Sequence, residues 1–184
     1  DQPFWDFLTT TWFQSAEVTL QDAGLTDIDE TTFKQVTAKK VGAAKIPLAA
    51  VCYRYNRPEL IAPWSELVDQ LGGWHQFLND LLSWHRDHTR QTCTYFLSEA
   101  ERRRAGQEPV VSWVAREGFD WAMGRLHEWL VELQALAVEL HSPPLNAYLA
   151  ERGRMLQQQQ AEVAEGLAQL TRVLNLNWDL PGRS

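Results

Sequence analysis

The sequence predicts an all-α helical bundle, on three observations. Apolar residues recur at steps of three and four through most of the 184 residues. No period-2 alternation runs long enough for a strand, and no segment repeats. The length fits one domain, residues 1–184, with enough chain to bury a substantial core.

In order along the chain, residues 4–21 place Phe4, Leu8, Trp12 and Phe13 on one side of a first helix. "DAGLTDID" ends it at Gly24, and Asp29 is placed to cap the next. That second helix, 30–53, carries Gly42 and Pro47 in "KKVGAAKIP", which predict a bend. "YNRPEL" connects to a short helix over 59–71, with Gly72 and Gly73 as breakers before a helix over 74–90. "SEAERRRAGQEP" reads as a polar connection. A long helix follows over 110–141, "HSPPLN" ends it, and a last helix covers 145–172.

A net charge of −7 argues against a nucleic-acid partner, because such proteins present a basic face to phosphate. The run Arg102–Arg104 lies among acidic residues and reads as a solvated helix end. Two cysteines, Cys52 and Cys93, with no CxxC spacing, fit free thiols in a reducing compartment. No apolar run approaches the roughly 18–20 residues of a membrane span, and "DQPFWDF" is unlike a secretory signal, so a cytoplasmic location is expected. Nine tryptophans are many, and imply a deep core, an apolar cavity or a partner surface.

Chemistry concentrates in "NDLLSWHRD", residues 79–87. Asn79, Ser83 and Asp87 stand at four-residue steps and so stack on one helix face, an oxygen column suited to Mg²⁺. Gln76 lies almost one turn before Asn79, Arg86 sits beside Asp87, and Lys40 occupies the expected bend upstream. A lysine and an arginine flanking a Mg²⁺ column make a site for a diphosphate, whose charge metal and cations share. The plain alternative for 79–87 is an amphipathic helix with a polar face.

"TFKQVTAKKVGAAKIPLAAVCY…LGGWHQFLNDLLSWHRD" resembles the C-terminal half of class I isoprenoid synthases, the polyprenyl synthetases and terpene cyclases. Lys40, Gly42, Ala43, Gln76 and Asp80 match, in type and order, the "KTA" and "FQ..DDxxD" elements of polyprenyl synthetases. Asn79, Ser83 and Asp87 instead resemble the Asn/Ser/Glu triad of terpene cyclases, with Asp in place of Glu. "RQTCTYFLSEA" resembles the following "GK.T.P" stretch, with Arg90 nearest its lysine. The resemblance implies Asn79, Ser83 and Asp87 as metal ligands, Lys40 and Arg86 as catalytic diphosphate contacts, and Gln76 beside them. It implies Mg²⁺ as cofactor, three ions in a complete enzyme, and a prenyl diphosphate as substrate. Cyclisation is the leading reaction, with chain elongation or a non-catalytic helical interaction module as alternatives.

The resemblance covers about residues 5–155, all within the family's second half, and the chain contains no Asp-Asp pair. An N-terminal half, a separate polypeptide or a second copy in a homodimer is therefore expected to complete the bundle. Trp84 and Trp121 are the candidate aromatic faces for a carbocation cavity, with plain core packing the favoured reading for either one. His85 and His88 form a weaker metal pair, lacking further ligands at defined spacing, and His127 and His141 read as structural.

Overall fold

A computed structural model of the chain describes residues 2–22 and 24–178, with side chains for all of these except 19–22 and 167–178. Among the described residues every regular element is helical and no strand occurs, as the apolar spacing predicts. α1 (Gln2–Asp22) lies against α2 (Glu30–Lys40) and α3 (Gly42–Arg54). A single 3₁₀ turn, Pro58–Leu60, leads into α4 (Ile61–Thr89), which packs on α2, α3, α5 (Tyr95–Arg103) and α7 (Phe119–Glu139). α6 (Val110–Trp113) joins α7 through a π turn, Val114–Gly118, and α8 (Pro143–Trp178) lies along α7.

Local chemistry sets these boundaries. Asp29 caps α2 by accepting the Thr32 N–H at 2.7 Å, and Thr94 caps α5 by accepting from Leu97 at 3.2 Å. The expected bend falls at Val41, between α2 and α3, while Pro47 sits inside α3 without ending it. α4 ends in a left-handed residue, Gln91 (φ 56°). The Thr92 N–H then donates to the Asp87 carbonyl at 2.9 Å and the Gln91 N–H to that of His88 at 3.1 Å. This pairing of bonds reverses the chain tightly, and so returns residues 92–95 alongside the last turns of α4.

Two expectations are corrected. Gly72 and Gly73 do not break a helix; α4 runs through both. A Cβ on Gly72 would stand 2.5 Å from Val41 Cγ1, so this glycine lets α4 approach the α2–α3 bend closely. The polar stretch 98–109 is not a plain connection either, since its first residues belong to α5. Ser98, Glu99 and Ala100 are buried there, and Glu99 accepts from Arg102 at 3.0 Å and Arg103 at 2.6 Å. The arginine run is thus ion-paired on a packed helix.

The π turn has a packing reason. A Cβ on Gly118 would lie 2.4 Å from the Trp113 ring, which is fully buried and donates through Nε1 to Glu117 at 2.7 Å. The widened turn and the bare glycine make room for that indole.

The core is aromatic. Phe77, at 0% exposure, touches Phe33, Tyr95, Trp121 and Trp129 at centroid distances of 5.1–6.1 Å. Trp74 is buried beside it and donates to the Leu126 carbonyl at 2.9 Å. Not every aromatic is inside: Trp5, Trp12 and Phe13 of α1 are 57%, 58% and 67% exposed. No helix of the described residues is long and apolar enough to cross a membrane.

Candidate functional site

α2, the C-terminal half of α4 and the start of α5 line a half-open cavity of about 220 Å³. Its polar wall is formed by Lys40 from α2 and by Gln76, Asn79, Asp80, Arg86 and Asp87 from α4. Ile28, Phe33 and Val36 make its apolar side, and the reversed segment contributes Thr94 and Tyr95. Five of the residues singled out by sequence therefore meet on one cavity. Lys40 reaches it because the break at Val41 leaves Lys40 as the last residue of α2.

The oxygen column is graded in depth. Asp87 is buried, Ser83 half-buried and Asn79 exposed. Asn79 and Asp87 border the cavity; Ser83 does not, but its hydroxyl donates to Asp87 Oδ2 at 2.5 Å. Arg86 Nε donates to the other oxygen, Oδ1, at 3.2 Å. Ser83 and Arg86 thus fix the Asp87 carboxylate from two sides. Asp80, buried at 4% exposure, accepts from Gln76 Nε2 at 2.7 Å.

Asp80 and Tyr95 are site residues to which helical spacing in the sequence does not point. Asp80 was visible only through the family motif, being about 100° round the helix from Asn79. Tyr95 arrives through the chain reversal at Gln91, which no local periodicity signals. Burial, reinforced by the negative charges of Glu30 and Glu99, pushes its phenol up to about 12. The hydroxyl is therefore a neutral donor at physiological pH. The sign of the linkage follows: the folded state holds this proton more tightly, so stability falls as pH rises from 10 toward 12. From pH 9 to pH 11, the unfolding free energy of the parent, read from urea titrations, should drop by roughly 1 kcal/mol more than that of Tyr95→Phe. Parallel pH profiles for the two proteins would contradict the assignment.

Neither tryptophan singled out for a carbocation wall borders this cavity. Trp121 is packed among Phe77, Tyr95, Phe96 and Trp113, with the Arg103 guanidinium 4.6 Å from its centroid. Trp84 is half-buried against the core, edge-on to His85. His85 and His88 are exposed, and His127 donates to the Met123 carbonyl at 2.8 Å in a structural bond. Among the described residues no three His, Cys, Asp or Glu side chains group closely enough to hold a metal.

The donor chemistry still fits Mg²⁺. Mg²⁺ takes oxygen ligands, commonly one or two carboxylates with water completing the shell. Asp87, Asp80 and the Asn79 amide offer such a set on one wall. The charges agree, since Lys40 and Arg86 are matched by Asp80 and Asp87. A diphosphate alone would meet no net positive charge there; a divalent cation supplies the missing balance.

The chain matches no known protein family, no curated protein and no solved structure. What the fold and site define is an all-helical protein with a small, charge-balanced cavity against its central helix.

Proposed function

We propose that this protein is a class I isoprenoid synthase-like enzyme that binds a linear prenyl diphosphate with Mg²⁺ and ionises it. The reading rests on one observation: Lys40, Gln76, Asn79, Asp80, Arg86 and Asp87 converge on a single cavity. Mg²⁺ held by Asn79, Asp87 and Asp80 would supply electrostatic stabilisation of the leaving diphosphate. Lys40 and Arg86 place their charges on the same group, and Tyr95 offers a neutral O–H. Because Ser83 and Arg86 already orient Asp87, little reorganisation is needed when the anion develops.

The cavity volume corresponds to about seven waters at ~30 Å³ each, room for a diphosphate head and not for a long hydrocarbon tail. The tail would lie against a wall supplied by an N-terminal half, another polypeptide or a second copy. Trp5, Trp12 and Phe13 on α1 offer exposed apolar surface to such a partner. That same face supports a second reading, a helical interaction module without catalysis.

In the complete enzyme, with that wall supplied, diphosphate release from farnesyl or geranylgeranyl diphosphate is expected only with Mg²⁺. Asn79→Ala and Ser83→Ala should each lower turnover by roughly 10- to 100-fold. Unchanged rates in both would remove the column from the mechanism. Hydrocarbons or terpene alcohols among the products mean cyclisation. Longer diphosphates on adding isopentenyl diphosphate mean elongation, which Lys40 and Gln76 favour. No diphosphate release under any condition supports the non-catalytic module.

A further inference from the structure

Beside the charged cavity runs an open groove of about 1160 Å³, bordered by residues 24–27, the end of α4 and α5. Thr92 and Cys93 border both spaces, so the two adjoin and these residues form part of the partition between them. Ile28 completes that partition: it borders the cavity, is 6% exposed, and follows directly on the residues that border the groove.

Among the described residues, the side chains that bond the Ile28 backbone both belong to α5. Its N–H donates to Ser98 Oγ at 3.0 Å, and its carbonyl accepts from Arg102 Nη2 at 2.6 Å. Arg102 Nη1 donates to Asp27 at 2.6 Å, and its Nε donates to Glu99 at 3.0 Å. One guanidinium thus ties the segment at two successive residues while anchored on its own helix. Apart from these bonds Ile28 is retained by apolar packing, and Asp27 is exposed. A short segment held by three bonds to one helix can open locally without unfolding the core.

We infer that residues 27–28 are a gate between groove and cavity, latched by Arg102 and Ser98, and that opening it gives Lys40 and Asp87 a second entrance beside the mouth at Asn79 and Arg86. The inference does not depend on what the cavity binds.

The test uses Thr37, which is buried and borders the cavity, as a reporter. Thr37→Cys is made in a Cys52→Ala, Cys93→Ser background and labelled with a small thiol reagent. Amide exchange at Ile28 is followed in parallel. Arg102→Ala should speed both labelling and Ile28 exchange at least tenfold, with Arg102→Lys intermediate. Exchange at Leu126 and Leu130, buried in α7, should stay unchanged. Thr37 also borders a smaller cavity with Asp69 and Trp129, and labelling by that route is insensitive to Arg102. Should Arg102→Ala fail to fold, Ser98→Ala removes the Ile28 N–H partner and should act in the same direction. Unaltered labelling and exchange, or equal acceleration at Leu126 and Leu130, would overturn the gate. Labelling needs no substrate, so this result stands apart from any assay of diphosphate release.

Discussion

Phe77→Ala is expected to destabilise the protein by about 3–5 kcal/mol, the range for removing a buried phenyl ring. Phe77 has no solvent exposure and lies at the point where α2, α4, α5 and α7 meet through Phe33, Tyr95, Trp121 and Trp129. Two terms add. The lost transfer energy of the ring is accompanied by a cavity, because four aromatic neighbours on three other helices cannot all move inward together. Edge-to-face and offset contacts among rings add about 0.5–1.5 kcal/mol per pair beyond buried area. Leu82→Ala is the comparison: it lies on the same helix, is 59% exposed, and should cost less than about 0.5 kcal/mol. Urea unfolding of both variants with the parent checks this. Similar midpoints for the two would mean that Phe77 is not central to the core.

The same helix shows which features the sequence makes legible. Positions 76, 79 and 87 border one cavity because helical spacing alone puts them near one face, and that spacing is visible in any single sequence. Lys40 was legible because Gly42 marks a bend and the family motif pairs it with Gln76. Gly72 and Gly73 point to a helix end in the sequence because a glycine pair is the same symbol for a helix end and for a close helix crossing. Only the proximity of Val41, 31 positions earlier in the chain, decides between them. α5 is not legible in the sequence because its polar residues are satisfied by ion pairs and its burial depends on partners distant in sequence, such as Ile28. For Trp84 and Trp121, residue type alone does not separate a cavity wall from a packed core. Which rings line a void and which fill a core is set by tertiary packing. Ser83 turning onto Asp87 follows from a rotamer, which spacing does not carry.

Asp87→Asn is expected to lower Mg²⁺-dependent diphosphate release by about 10²- to 10³-fold while leaving the fold intact. The substitution keeps the shape and removes the charge. Ser83 Oγ still finds an acceptor in the amide oxygen, and the tight reversal after α4 uses the Asp87 backbone carbonyl, which is unaffected. The melting temperature should therefore shift by only a few degrees, consistent with about 1 kcal/mol. Function should respond differently, because Asp87 is the one buried carboxylate that Ser83 and Arg86 both orient. Without it the wall keeps Lys40 and Arg86 against Asp80 alone, a balance shifted by one positive charge. Inorganic diphosphate without Mg²⁺ should then bind more tightly to Asp87→Asn than to the parent, while the Mg²⁺ requirement weakens. That opposite movement, tighter bare anion and slower turnover, separates loss of a metal ligand from general damage to the site. Calorimetry with diphosphate, with and without Mg²⁺, reads the first; diphosphate release reads the second. A variant that loses anion binding under both conditions would place Asp87 in a structural role, holding Arg86 and Ser83 in position, and would leave the metal to other residues.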